Sequence, residues 1–319
     1  MAKRAMQRAP RRRKSSPPRK AVAGELRTLL DFVRYATSRF VEAGLVFAHG
    51  TSDPVAEAAF LVCETLHLHP DQFDGFATAR VTAPEAEAIL ALVERRISTR
   101  QPAAYLVNKI YMRGLPFYVD ARTIVPRSFI GELLDSHFGG EEAEGALIAD
   151  PASVETVLDL CCGSGCLAVL ASRRFPAARI DAVDISTDAF DVAARNVADY
   201  GLQDRVRLHR GDLFQAIGEQ RYDLIISNPP YVDAAGMAQL PRECRAEPRL
   251  AFDGGTDGLD IVRRILKDAK RHLTSRGGLL CEIGRCRPAL EAAFPDTGFL
   301  WLDTEEAHGE VFWLEASDL

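Results

Sequence analysis

Three groups of residues in this chain could do chemistry together. The first is Asp159-Leu-Cys161-Cys162-Gly163-Ser164-Gly165-Cys-Leu-Ala168. Its glycines let a backbone turn tightly and approach a ligand closely. A helix starting behind it offers unpaired N–H groups at its first turn. The second is Asp184, 21 residues after Gly163, at the end of the next apolar run. A carboxylate there can accept two hydrogen bonds from a ribose. Together they predict a site for a nucleoside-bearing cofactor. Gly163, Gly165 and Ala168 also satisfy the dinucleotide fingerprint G-x-G-x-x-G/A. A dinucleotide enzyme usually repeats the mononucleotide unit, however, and here a different signature follows.

That third group is Ser227-Asn228-Pro229-Pro230-Tyr231. It suits methyl transfer to a planar NH2, whose nitrogen lone pair is delocalised. Asn228 Oδ1 and the Pro229 carbonyl can accept both N–H hydrogens. That aims the lone pair at an electrophilic methyl and favours pyramidalisation in the transition state. Consecutive prolines fix φ and hold the carbonyl in place. Tyr231 can pack on the planar target group.

Other reactive side chains have plainer readings. Cys161, Cys162 and Cys166 lack a CxxC pair or a histidine cluster, which favours small buried core cysteines over a metal site. His67 and His69 fall near a helix end and read as surface or capping groups. Glu282, after a strand, could help line the pocket but reads more plainly as a strand-end carboxylate with no catalytic task, and the same two readings hold for Glu247 in AEPRL.

These groups need elements to position them. Leu26, Leu29, Leu30 and Val33, then Ala59, Leu61, Val62 and Leu66, then Ile89, Leu92, Val93 and Ile97 recur at helical spacing. They predict a small helical domain over 24–104, with helix starts at Asp53-Pro54 and Thr82–Glu85. Residues 105–127 carry aromatic and β-branched residues around Arg113-Gly114 and predict a β-hairpin linker. A catalytic domain over 128–319 follows, with a short helix after Pro126. From Glu155, apolar runs and helical patterns alternate, which predicts a parallel sheet covered on both faces. The last 20 residues or so read as two strands, giving that sheet an antiparallel edge. Asn228 then falls at the end of the fourth strand.

Charge is unevenly spread. The chain has 319 residues and a net charge of −6, yet residues 1–20 hold nine Lys and Arg and no acid. The other 299 residues carry 30 Lys and Arg against 45 Asp and Glu. An acidic body argues against nonspecific coating of DNA. Residues 1–23 lack large apolar side chains and read as a disordered tail, an RNA-contacting arm or a transit peptide. Seven scattered cysteines form no disulfide framework and predict a reducing, cytoplasmic compartment. No apolar segment follows the basic start, so no secretory signal is expected. The uncharged run Leu160–Ser172 is too short to span a bilayer.

DLCCGSGCLA, AVDIS, GDLF and SNPPYV resemble the motifs of class I S-adenosylmethionine-dependent methyltransferases. From about residue 24 to the end, the chain is similar to the glutamine N5-methyltransferases that modify translation proteins. NKxxxxGLPFYVD, PRSxIxELL and FPDxxFxWL…GEVFWLE match their ribosomal-protein branch, with EPRLAFDGGTDGLDIVRRIL in support. The resemblance implies a Rossmann-like, mostly parallel seven-stranded sheet and S-adenosylmethionine as cofactor. The substrate it implies is a glutamine of the third large-subunit ribosomal protein. It also implies that Cys161, Cys162, Gly163, Ser164 and Gly165 face the methionine part and that Asp184 binds the ribose hydroxyls. Asp212 and Leu213 would sit at the adenine. Asn228, Pro229, Pro230 and Tyr231 would hold the glutamine, with Asn228 also near the cofactor. No metal is implied. Cys162 stands where that branch usually has Thr. Two alternatives share the chemistry: a release-factor glutamine methyltransferase, which usually reads PRPxTE in place of Pro126–Glu132, and an adenine-N6 nucleic-acid methyltransferase. A noncatalytic ribonucleoprotein assembly factor is a third.

Overall fold

The structure, a computed structural model, describes residues 22, 24–50, 53–139, 146–305 and 307–319. The basic tail, but for Val22, lies outside the described residues. The chain divides into two compact units: the residues up to Ala43 with Pro54–Ile97, and Gly44–Asp53 with Ser98–Leu319. Helical spacing predicts one continuous segment over 24–104. Long-range contacts instead assign Gly44–Asp53 and everything after Ile97 to the second unit, and local periodicity carries no trace of such contacts.

The first unit holds α1 (Leu29–Glu42), α2 (Pro54–Thr65), the single turn α3 (Phe73–Phe76) and most of α4 (Ala83–Thr99). Thr28 and Asp31 form a reciprocal capping box that starts α1. Thr82 donates both its N–H and its hydroxyl to Glu85 ahead of α4. Leu29, Phe32, Val33, Ala36 and Phe40 put one face of α1 inside. His69 accepts the Asp71 N–H through Nδ1, a capping role.

The second unit opens with α5 (Ala103–Val107). Residues 105–107, expected in the hairpin, are helical because Asn108, in a left-handed conformation, closes a short turn after Pro102. The hairpin itself is short: β1 (Ile110–Met112) pairs with β2 (Leu115–Phe117). Its turn residues Arg113 and Gly114 have φ of 50° and 73°, the double-positive geometry that matches strand twist. After α6 (Ile130–Ser136) come β3 (Thr156–Leu160), α7 (Cys166–Arg174), β4 (Arg179–Asp184), α8 (Thr187–Asp199), β5 (Val206–Arg210) and β6 (Tyr222–Ser227). Then follow α9 (Ala234–Gln239), α10 (Asp260–Ala269), β7 (Leu273–Glu282), α11 (Arg287–Ala293), β8 (Leu300–Asp303) and β9 (His308–Glu315).

Seven strands form one sheet in the order β5-β4-β3-β6-β7-β9-β8. β3 to β7 pair in parallel; β9 runs antiparallel to both β7 and β8. The fold is thus α/β and mostly parallel, with the antiparallel pairing confined to one edge. Alternate residues serve opposite layers: Val157 of β3 packs with Ile130, Leu133, Phe138 and Phe175, while Leu158 and Leu160 pack with Val262, Ile265 and Leu279. The chain leaves β3 toward β4 and β5, then returns to β6 on its other side. That reversal opens a crevice at the strands' C-terminal ends. No helix of the described residues is long and apolar enough to cross a membrane.

Asn196 of α8 is buried and ties three segments together. Its Oδ1 accepts the Tyr118 N–H at 2.8 Å, and its Nδ2 donates to the carbonyls of Tyr118 and Ser164. Asn196→Ala should therefore destabilise the protein by about 2–4 kcal/mol, since buried backbone groups lose their partners. Chemical denaturation measures this; a change below about 0.5 kcal/mol would mean water replaces the amide.

Candidate active site

The loop after β3 is shaped by three left-handed residues: Cys161, Gly163 and Gly165 have φ of 60°, 55° and 75°. Gly165 also needs its missing side chain, because a Cβ there would lie 3.2 Å from Ala193 Cβ on α8. Cys162, at the position of the usual Thr, is buried, and its N–H donates to the Val183 carbonyl. Asp184 accepts the Gly163 N–H on one oxygen and the Ser186 N–H on the other, both at 2.8 Å. A carboxylate has about four acceptor positions. Each oxygen therefore keeps capacity for a hydroxyl. Burial raises the Asp184 carboxyl, and these backbone N–H groups oppose that rise.

A cavity of about 420 Å³ opens at the C-terminal edge of the sheet. From the loop, Cys161 through Ser164 line it; from the ends of β4 and β5 come Asp184, Asp212 and Leu213. Asn228, Pro229, Pro230 and Tyr231 line it from the end of β6. Among the sequence-predicted residues only Gly165 stands back, packed under the first turn of α7. Asp212 pairs through Oδ2 with Arg264 of α10 at 2.7 Å, which leaves Oδ1 for a ligand.

The roof of this cavity is the segment 122–128, none of whose residues is among the sequence-predicted site residues. Two buried carboxylates pin it. Glu247 accepts the Val125 N–H at 2.9 Å, both Arg127 terminal nitrogens at 3.2–3.3 Å, and His49 Nε2 at 3.0 Å. Burial alone would raise Glu247; the His49 hydrogen bond, the Arg127 charge and the Val125 N–H outweigh it and hold the carboxyl below its usual range. Glu282 accepts the Ser128 hydroxyl at 2.7 Å, the Phe129 N–H at 3.0 Å and the Tyr231 hydroxyl at 3.1 Å. Burial pushes it up to about 7, against these donors and with help from Glu310. The roof in turn sets Asn228: its Nδ2 reaches the Arg127 carbonyl at 3.4 Å, which turns Oδ1 the opposite way. His49, Cys244 and Glu247 converge closely enough to suggest metal ligands. The Glu247 oxygens are already engaged by Arg127, Val125 and His49, so this cluster is a clamp.

The family model described as methyltransferase small domain matches residues 146–241. A ribosomal protein uL3 glutamine methyltransferase of Bradyrhizobium diazoefficiens is 70% identical over 93% of either chain. One from Bordetella pertussis is 50% identical over 92% of this chain and 97% of its own. The chain belongs to the ribosomal protein uL3 glutamine methyltransferase family. A methyltransferase from Pyrococcus furiosus of known structure is similar at TM-score 0.44, 18% identical, over 63% of this chain and 90% of its own. As a methyltransferase of this family, the protein uses an S-adenosylmethionine-type methyl donor.

The cavity fits such a donor. Thr123 Oγ1 is buried with no protein partner, and it lies 3.4 Å from where a Gly163 Cβ would stand. The polar groups that would hold a donor are the carboxylates lining the cavity: Asp184 keeps an acceptor position on each oxygen, and Asp212 keeps Oδ1.

Glu282 also sets a pH dependence. Its carboxyl rises from an ordinary 4.5 to about 7 on folding. The folded state holds a proton that the unfolded chain has released, so this group's contribution is complete below 4.5 and lost as pH rises through 7. The loss is on the order of 3 kcal/mol. Glu282→Gln should flatten urea-derived stability over that window relative to wild type. An identical slope in both proteins would refute the assignment.

Proposed function

We propose that this protein transfers the methyl group of S-adenosylmethionine to the side-chain amide nitrogen (N5) of a glutamine in ribosomal protein uL3, the third protein of the large subunit. One observation carries the reading: the Asn228–Pro229 corner opens into the same cavity as the Asp184 loop. In this reading Cys161–Gly165 meet the methionine part through the backbone, Asp184 takes the ribose hydroxyls, and Asp212 and Leu213 meet the adenine. The donor supplies, when bound, the electrophilic methyl carbon. Asn228 Oδ1 and the Pro229 carbonyl accept the two N–H hydrogens of the target amide, while Tyr231 packs on its plane. Holding both hydrogens weakens conjugation of the lone pair with the amide carbonyl. The nitrogen sheds one proton once its new bond has formed, so no strong base need stand by.

A glutamine fits better than an asparagine. Its extra methylene lets the amide reach the corner while the backbone stays outside. A shortfall of about 1 Å can cost on the order of 10² in rate. In the same reading the enzyme works in the cytoplasm, the helical unit serves substrate recognition, and the basic stretch before residue 21 contacts ribosomal RNA. Removing residues 2–20 takes away nine positive charges. The affinity for ribosomal assemblies should then depend less on salt.

Labelled methyl transfer to purified uL3, release factor and DNA in parallel tests the function. Labelling of uL3 alone is expected, with the Gln→Asn substrate poor. Asn228→Ala should lower the rate by about 10²–10³, with cofactor affinity reduced far less. Preferential labelling of the release factor would move the protein to the sister activity. Labelling of DNA alone, or near-normal turnover by Asn228→Ala, would overturn the reading.

A further inference from the structure

Glu282 ends β7, one residue past the Ser227–Cys281 register pair that joins this strand to β6. It is 1% exposed. The charged side chain that bears on it most is another carboxylate, Glu310 of β9. What it has instead are three donors from two separate segments: Tyr231 beyond β6, and Ser128 at the end of the roof with Phe129 just after it. Among the described residues it forms no ion pair, and a buried acid without one is a poor way to stabilise a core.

The same strand exit also supports the tyrosine ring. Two residues on, Gly284 lies against it, and a Cβ there would come within 2.6 Å of Tyr231 Cε2. Cys286 Sγ donates to the Tyr231 carbonyl at 3.2 Å. Cys281-Glu-Ile-Gly284 thus supplies a floor for the ring and a partner for its hydroxyl. The hydroxyl bond fixes the ring's far end and, through the other Glu282 oxygen, ties it to Ser128 and Phe129.

We propose that Glu282 is a positioning residue of the methyl transfer, locking the Tyr231 ring and the Ser128–Phe129 step in one arrangement before the target side chain arrives. It rests on the reading of Asn228–Tyr231 as the target site. Glu282 acts through Tyr231, so removing either end of the bond releases the same constraint. Preorganisation of this kind appears in turnover, because the surface is needed most when the amide is held for reaction.

The test is a double-mutant cycle in the full chain with Glu282→Gln and Tyr231→Phe. Labelled methyl transfer to uL3 gives kcat and KM, and calorimetry gives the affinity for S-adenosylmethionine. Each single variant should lose about 10- to 100-fold in kcat. Cofactor affinity should stay within about threefold, and the double variant should be no slower than the slower single. Losses that multiply independently, or wild-type kcat in Glu282→Gln, overturn the proposal. So does a fall in cofactor affinity that matches the fall in rate, since that would make Glu282 a support of the whole cavity. If Glu282→Gln does not fold, Ser128→Ala replaces it in the cycle with the same expectation. If wild type labels another acceptor, the proposed function fails. The cycle is then read on that acceptor, where non-additivity still decides the role of Glu282.

Discussion

The reversal of strand order at β3 is the constraint on which the site depends. β4 and β5 lie on one side of this strand, β6 and β7 on the other. The loop leaving β3 and the loop leaving β6 therefore diverge, and the space between them is left open. The two chemically distinct groups sit on the two sides of that gap. Asp184 and Cys161–Ser164 lie toward β4, and Asn228–Tyr231 lie toward β7. A transfer reaction needs a donor and an acceptor held side by side. In the proposed function, the sheet provides that adjacency before any side chain is considered.

An open crevice is not yet a preorganised site, and the roof makes the difference. Arg122, Thr123 and Ser128 make local hydrogen bonds, but Val125 and Arg127 in the middle of the segment bond to Glu247 and Asn228, more than 100 positions away. Two glutamates hold this segment, and their electrostatics differ because their neighbours differ. Glu247 faces Arg127 and His49, so its charge is compensated where it lies. Glu282 faces hydroxyls and one N–H, with Glu310 nearby, so burial dominates. The first is a compensated anchor, its carboxyl held below the usual range. The second is the more costly contact, and it is the one that touches Tyr231 directly.

Much of this was legible in the sequence. The β3 loop, Asp184 and Asn228–Tyr231 are short local motifs that stand out by spacing, and the structure brings them to one cavity. The strand and helix alternation gave the parallel sheet, and Arg113-Gly114 gave the hairpin turn. The roof was not legible. Val125 and Ser128 look like loop residues, and their partners Glu247 and Glu282 stand more than 100 positions away. Both glutamates looked idle because nothing near them in sequence is a partner. The same holds for Gly44–Asp53, which a helical period cannot assign to another unit.

Asn228 shows why the unreadable part matters for chemistry. An amide side chain presents either its oxygen or its NH2, and the two have opposite value for gripping an N–H target. Nothing in the asparagine itself chooses between them. The choice comes from the Arg127 carbonyl, an acceptor that only the NH2 can satisfy. That carbonyl is held in place because Glu247 grips the Arg127 side chain and the Val125 N–H. Glu282 holds the next two residues from the other side. In the proposed function, the polarity of the Asn228–Pro229 acceptor pair is therefore decided by the roof, through contacts that the motif itself does not contain.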